Sequence, residues 1–421
     1  MSGILQTVSC LDGYDPDALR VDKAHEAIRA CLSPLKETEA VEVRKALGRI
    51  LAEDIVPKIN VPGHDNSAMD GYAIRFEDLA ESGAHLREVG TALAGKPFIG
   101  VVGKLQCVRI MTGAVMPEGT DTVVIQEHVQ RDDANKKVLI PKDQKRGQNV
   151  RYAGEDLKTG VAVLKAGKYL RPAEIGLIAS LGIGKVKVKR RLRVAFFATG
   201  DELASIGKKL KQGEVYDSNR YTLHGMLARL GVEILDLGVV RDDRAQLKKK
   251  FLSAKAKADV IITTGGVSVG EADFVKQLMA ELGEVLFWKI AMRPGRPMAF
   301  GKIGKAFLFG LPGNPVAVAV TFYEIVRDAL LHLAGRTDDY AIPLLHAISS
   351  EKLRKVPGRT EYQRGILYLE NNLWKVRITG QQGSGVLRSM SEANCFIVLE
   401  HERGAVAAGE LVSVQLFEGL A

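Results

Sequence analysis

The chain has 421 residues, 46% of them apolar and 26% charged, which excludes a largely disordered protein and, at this length, points to about two to four separate cores. No apolar run reaches the roughly 18 residues that cross a bilayer, the first residues lack a basic stretch followed by an apolar one, and Cys10, Cys31, Cys107 and Cys395 are too far apart for a zinc knuckle or dithiol. The expectation is therefore a cytoplasmic protein without a membrane partner, and the net charge of +9, spread along the chain with no aromatic-interleaved basic stripe, argues for small anions rather than nucleic acid.

Along the chain, Val21, Ala24, Ile28, Cys31, Leu32 and Leu35 recur at three- and four-residue spacing and predict an amphipathic helix ending near Pro34. A second short helix is expected around Leu47, Ile50 and Leu51. Residues 54–62 read as an extended connector because Pro57 and Pro62 forbid a continuing helix. Residues 66–149 alternate short β-like runs with Gly, Pro and Asp turns and predict a small inserted β domain. Residues 150–190 hold a helix over 171–181 and the strand KVKVKRR, and are expected to return to the N-terminal helices. The N-terminal mixed helical domain is thus discontinuous, 1–65 and 150–190.

Residues 191–338 alternate buried-type strands with helices, the pattern of a doubly wound α/β domain. Residues 339–421 return to short strands and predict a C-terminal β-barrel. The fold class is multi-domain α/β plus β.

Ligands of such α/β sheets sit outside the carboxyl ends of the strands. Here those ends read Thr199-Gly200-Asp201-Glu202, Arg241-Asp242-Asp243, TTGGVSVGEAD at 263–273, and Leu311-Pro312-Gly313-Asn314-Pro315. In 264–273, Gly265, Gly266 and Gly270 let main-chain N–H groups approach an anion, and Ser268 adds a hydroxyl. Asp273, where a helix begins, would disfavour a bare phosphate, so a bridging Mg²⁺ is implied. Asp242-Asp243 also suits a helix N-cap with a first-turn acid, and Asn314 and Pro315 suit the cap and first position of the next helix. Lys289, Arg293 and Arg296 surround a proline–glycine turn that suits either an oxyanion or solvent. Arg359, Arg364 and Ser384 are further candidate anion donors. The loop PGHDNSAMDGYA at 62–73 holds more polar residues than a turn needs, with Asp70 its best-placed carboxylate, whereas His64 reads as a turn residue.

These segments carry a resemblance. PGHDNSAMDGYA, RIMTGA (109–114), GED (154–156), TGDEL (199–203), YDSN (216–219), RDD (241–243), TTGGVSVGEAD, LPGNP and PGRTEYQRG (357–365) resemble, in order, the motifs of the molybdopterin molybdenumtransferase family, the bacterial counterpart of the gephyrin E domain. The resemblance implies insertion of molybdenum from molybdate into adenylylated molybdopterin, with hydrolysis of the phosphoanhydride and release of AMP. It implies that Asp242 and Asp273 hold Mg²⁺ or the phosphoanhydride, with Asp70 and Lys289 also catalytic. Gly265, Gly266, Ser268, Gly270 and the Pro312–Pro315 loop would cradle the nucleotide-linked substrate, with Thr112, Asp156 and Glu202 lining the cleft. Arg293, Arg359, Arg364 and Ser384 would gather the molybdate. It also implies a homodimer in which the 62–73 loop reaches the partner's site, and contact with a molybdopterin adenylyltransferase or molybdoenzyme maturation factors. Arg293 and Arg296 stand where the family commonly has lysines. The alternative is a non-catalytic molybdopterin-binding or scaffold paralogue.

Overall fold

The structure, a computed structural model, describes residues 3–9, 15–79, 83–266, 273–338 and 340–417, apart from the side chains of residues 273–275. Ser268 and Gly270 lie outside the described residues.

The central unit is a six-stranded sheet in the order Glu233–Val240, Arg193–Thr199, Val260–Thr264, Ala306–Leu311, Pro297–Ile303, Glu284–Lys289. The first four strands are parallel, Pro297–Ile303 runs against them, and Glu284–Lys289 pairs antiparallel to Pro297–Ile303. Its strands are apolar on both faces because both are covered, as the two-residue period shows. Val194 and Phe196 pack with Leu223, Met226 and Val318 in one core, while Ala195 and Phe197 pack with Leu247, Phe251 and Leu278 in another. Register brings the strand ends level, with Thr199 opposite Val240, Ala198 opposite Thr264, and Thr264 opposite Leu311. The loops that follow therefore leave the sheet at one rim.

The inserted unit is a curved sheet ordered Thr122–Ile125, Gly71–Ile74, Gln106–Ile110, Ala84–Ala92, Lys137–Ile140, Gln130–Asp132, with a separate apolar cluster on each face. The C-terminal unit closes on itself. Thr360–Glu370, Leu373–Ile378, Leu345–Ser349, Leu411–Leu416 and Cys395–Leu399 pair in turn, and the last pairs back with the first. Closure leaves no unpaired edge within this barrel. No described helix is long and apolar enough to cross a membrane.

The N-terminal helices depart from expectation. Ile4–Ser9 and Val21–Cys31 pack on the α/β core, where Ile4, Val8, Ala24 and Ile28 join Trp288, Ile325 and Leu330. Residues 157–188 instead share a core with Val43, Leu51 and Ile55. The apolar stripe of the Val21–Cys31 helix finds a partner in Arg327–Leu333, while strand Lys185–Lys189 is already paired with Thr38–Glu42. The helix expected near Leu47 is a single 3₁₀ turn, Val43–Ala46. Gly48, at φ +71°, ends it, and Ile50 and Leu51 continue as isolated bridges to Tyr169 and Val188.

The barrel docks on the helical face of the α/β unit. There the helix following residue 315 widens into a π turn, Phe322–Val326, which carries Glu324 inward. Gln415 Nε2 of the barrel donates to Glu324 Oε1 at 2.7 Å, and Tyr362 of the barrel also bonds that carboxyl.

Candidate functional site

Two sets of groups meet on this frame. The first is the rim. Gly265 turns at φ +86° and Gly266 at φ +69°, and a side chain at Gly265 would collide with the Thr199 carbonyl oxygen. The chain therefore passes tightly between neighbouring strand ends, which requires glycine. Gly313 sits against Gly265, and Asn219 of the YDSN segment donates from Nδ2 to the Gly313 carbonyl at 2.6 Å. On the other side, the Asp242 N–H donates to Asp201 Oδ1 at 3.3 Å. Asp243 is the helix cap, its Oδ1 accepting from Gln246 N at 2.7 Å. Glu202 is exposed beside Gly200. Asp273 opens the helix Asp273–Leu282 that follows the glycine turn.

The second set lines a cavity of about 900 Å³ between the α/β unit and the barrel. Lys289, Arg293 and Arg296 form one wall, Pro312, Gly313 and Asn314 the floor, and Arg359, Gln382 and Ser384 the barrel side. Asn314 occupies the N-cap position of Pro315–Thr321 but makes no capping hydrogen bond, so capping does not account for it. Pro315 starts that helix and is not among the residues lining this cavity.

Glu361, nearly buried, accepts from Arg359 Nε at 2.9 Å and stands 3.9 Å from Arg293. It fixes the direction of the Arg359 fork. Asp17, 2.6 Å from Lys289 Nζ, is the other acid at the cavity. Four cations around two carboxylates leave this region with a net positive charge.

Arg364 departs from expectation. It is 1% exposed and serves as a support behind the wall, donating to the Gly383 carbonyl at 3.1 Å and to Ser389 Oγ at 3.1 Å. Burial first, and the nearby Arg293 charge second, push its guanidinium down to about 10. It positions the loop that carries Ser384.

Asp70, Thr112, Asp156 and Glu202 are not among the residues lining this cavity. Asp70 Oδ1 accepts from both the N–H and the hydroxyl of Thr112, each at 2.7 Å, and these bonds hold its carboxyl below the usual range. Asp156 lies in a turn stitched to the 62–65 loop: its N–H donates to the Val61 carbonyl at 3.1 Å, Gly154 N to the Pro62 carbonyl at 2.9 Å, and Ala153 N to Asp65 Oδ1 at 2.8 Å. Among the described residues no group of three or more His, Cys, Asp or Glu gathers as a metal cage.

Sequence reasoning passed over Asp17, Glu361 and Gln382. The PGRTEYQRG motif contains Glu361, so its place beside Arg359 was open to reading. Asp17 had no signal, standing 272 residues from Lys289.

Fold and site together define a multi-domain α/β protein with a glycine-turned strand rim beside a basic cavity. Three family models match in order: the MoeA N-terminal region (domain I and II) over 19–182, a probable molybdopterin binding domain over 195–332, and the MoeA C-terminal region (domain IV) over 346–417. The chain is 45% identical over 403 residues to the molybdopterin molybdenumtransferase of Haemophilus influenzae, covering 96% of this chain and 99% of that one. It is 36% identical to the protein of that name from Nostoc sp., covering 91% and 89%. The crystal structure of the molybdopterin biosynthesis moeA protein from Pyrococcus horikoshii OT3 superposes with a TM-score of 0.82 at 29% identity, covering 95% of this chain and 100% of that one. This chain belongs to the molybdopterin molybdenumtransferase family.

Proposed function

We propose that this protein inserts molybdenum from molybdate into adenylylated molybdopterin, releasing AMP. The observation that carries the reading is the cavity in which Lys289, Arg293, Arg296 and Arg359 meet, bordered by a loop whose Gly313 lies next to Gly265 of the phosphate-type rim. One loop thus borders both a place for a tetrahedral dianion and a place for a phosphoanhydride. Bringing two anions together requires fixed cations and main-chain donors to offset their repulsion.

In this reading the cations hold molybdate while Gly265, Gly266, Ser268 and Gly270 cradle the phosphates. Water adds across the phosphoanhydride, giving AMP and the molybdopterin phosphate. The two dithiolene thiols lose their protons to one molybdate oxide, which leaves as water as both sulfurs bind molybdenum. Magnesium, when bound, supplies positive charge at the leaving phosphate, and Asp242 and Asp273 are the residues that would hold it. Glu361 orients Arg359, and Asn219 fixes the shared loop.

A homodimer accounts for the remaining motif residues. Asp70, Thr112 and Asp156 stand away from the cavity of their own chain, and a second copy would bring them to it. The supply of substrate by an adenylyltransferase and delivery to molybdoenzyme maturation factors belong to the same reading, as does a cytoplasmic location.

The test uses purified protein, adenylylated molybdopterin, magnesium and molybdate, with AMP followed by chromatography. AMP release that requires molybdate is expected. Substrate binding without AMP release under these conditions would favour the scaffold alternative and remove the enzymatic one.

A further inference from the structure

Asp17 lines a cavity whose other charged lining residues, Lys289, Arg293, Arg296 and Arg359, are all cations, and nothing in the proposed reaction uses it. Its place is built by the main chain. Lys289 N–H donates to the Pro16 carbonyl at 2.8 Å, Leu19 N–H to the Lys289 carbonyl at 3.2 Å, and Ala291 N–H to the Leu19 carbonyl at 2.7 Å. This short parallel pairing of Leu19 with Ile290 carries the 15–19 segment along the cavity lip. The Asp17 N–H also donates to Asp15 Oδ1 at 2.9 Å, which fixes the turn. From there Asp17 Oδ1 reaches Lys289 Nζ at 2.6 Å. The bond to Lys289 and then its charge, with Arg296 adding, hold the Asp17 carboxyl below the usual range. The family region matched at the N-terminal side begins at residue 19 and does not include it.

The pair is open to solvent, with 73% of the Asp17 side chain and 40% of the Lys289 side chain exposed. Exposed pairs of this kind are weak and readily exchanged. A tetrahedral dianion in the cavity brings twice the charge of a carboxylate and touches several cations at once. It therefore displaces Asp17 from Lys289, at a cost in affinity set by the bond it breaks. When the anion leaves, Asp17 returns to the ammonium.

We propose that Asp17 is a tethered competing anion that holds Lys289 until a tetrahedral oxyanion takes its place, so that it lowers oxyanion affinity and eases departure. This rests on reading the cavity as the oxyanion site. It is a specificity device, because monoanions with the charge of Asp17 itself gain little by exchanging with it.

Calorimetric titration of molybdate into wild type, D17N and D15N tests the inference. D15N removes the same formal charge from the same segment and keeps the oxygen that accepts the Asp17 N–H, but Asp15 does not line the cavity. D17N is expected to bind molybdate about three- to tenfold more tightly, and D15N to stay within about twofold of wild type. Affinity unchanged or weakened in D17N, or an equal gain in D15N, would overturn the proposal. A wild type that binds no molybdate at all would instead remove the oxyanion reading of the cavity, and this inference with it.

Discussion

Glu324 offers a perturbation whose size follows from its surroundings. Burial between the π turn and the barrel lifts its carboxyl from an ordinary 4.5 to about 7. The bonds from Gln415 and Tyr362 restrain the rise, Asp328 adds to it and Arg327 opposes it. Between these two values the folded protein keeps a proton that the unfolded chain has released. Stability is therefore present in full below about pH 4.5 and declines as pH rises through about 7. At about 1.4 kcal/mol per pH unit, the decline is about 3 kcal/mol. Glu324→Gln is neutral throughout, keeps the oxygen that accepts from Gln415, and offers its amide to the Tyr362 hydroxyl. Calorimetric melts of both proteins from pH 5 to 8.5 should show the variant gaining on wild type as pH rises, by about 3 kcal/mol in total. His25 and His332, both pushed down by burial, act in the opposite sense but are common to both proteins, so the difference isolates Glu324. Parallel curves would refute the reasoning, since they would mean that the carboxyl is already ionised in the folded state at pH 5.

The remaining expectations concern the proposed reaction and its frame. Asp273→Asn should slow AMP release on the order of 100-fold or more with an unchanged melting profile, and unchanged turnover would remove Asp273 from the mechanism. Arg359→Lys gives up the fork that Glu361 aligns and should weaken molybdate binding about tenfold by calorimetry, a larger effect than loss of a solvent-exposed pair. Gly265→Ala combines an unfavourable φ with a clash against the Thr199 carbonyl, and should lower stability by about 1–3 kcal/mol in urea titration while abolishing AMP release. Chelation with EDTA should stop AMP release, and added magnesium should restore it.

Much of this arrangement could be read from the chain. Strands such as 260–264 (VIITT) carry no charge and run into Gly-Gly, which marks them as covered on both faces and their ends as the rim. The proline–glycine turn with its three cations stood out for the same reason, since rigid turns seldom need that many charges. What escaped reading was pairing at a distance. The stripe on Val21–Cys31 announces a helix but not which core it joins, and that choice depends on the competing face of Arg327–Leu333. Glu324 in a long apolar helix reads as a solvent-facing acid until the π turn redirects it inward. Arg364 reads as an anion donor, as Arg359 does, because a sequence cannot say that Arg359 precedes the strand Thr360–Glu370 beside the cavity while Arg364, within it, is buried. Asp17 is the extreme case, placed only by main-chain bonds to a strand far along the chain.

The Met292–Arg293 strand pairs in parallel with Thr360 and Glu361 of the barrel, and Val316 N–H donates to the Ser384 carbonyl at 3.0 Å. The two sides of the cavity are thereby laced together by main-chain hydrogen bonds on both flanks. The opening between them is braced on two sides, with Asp17 standing at its lip.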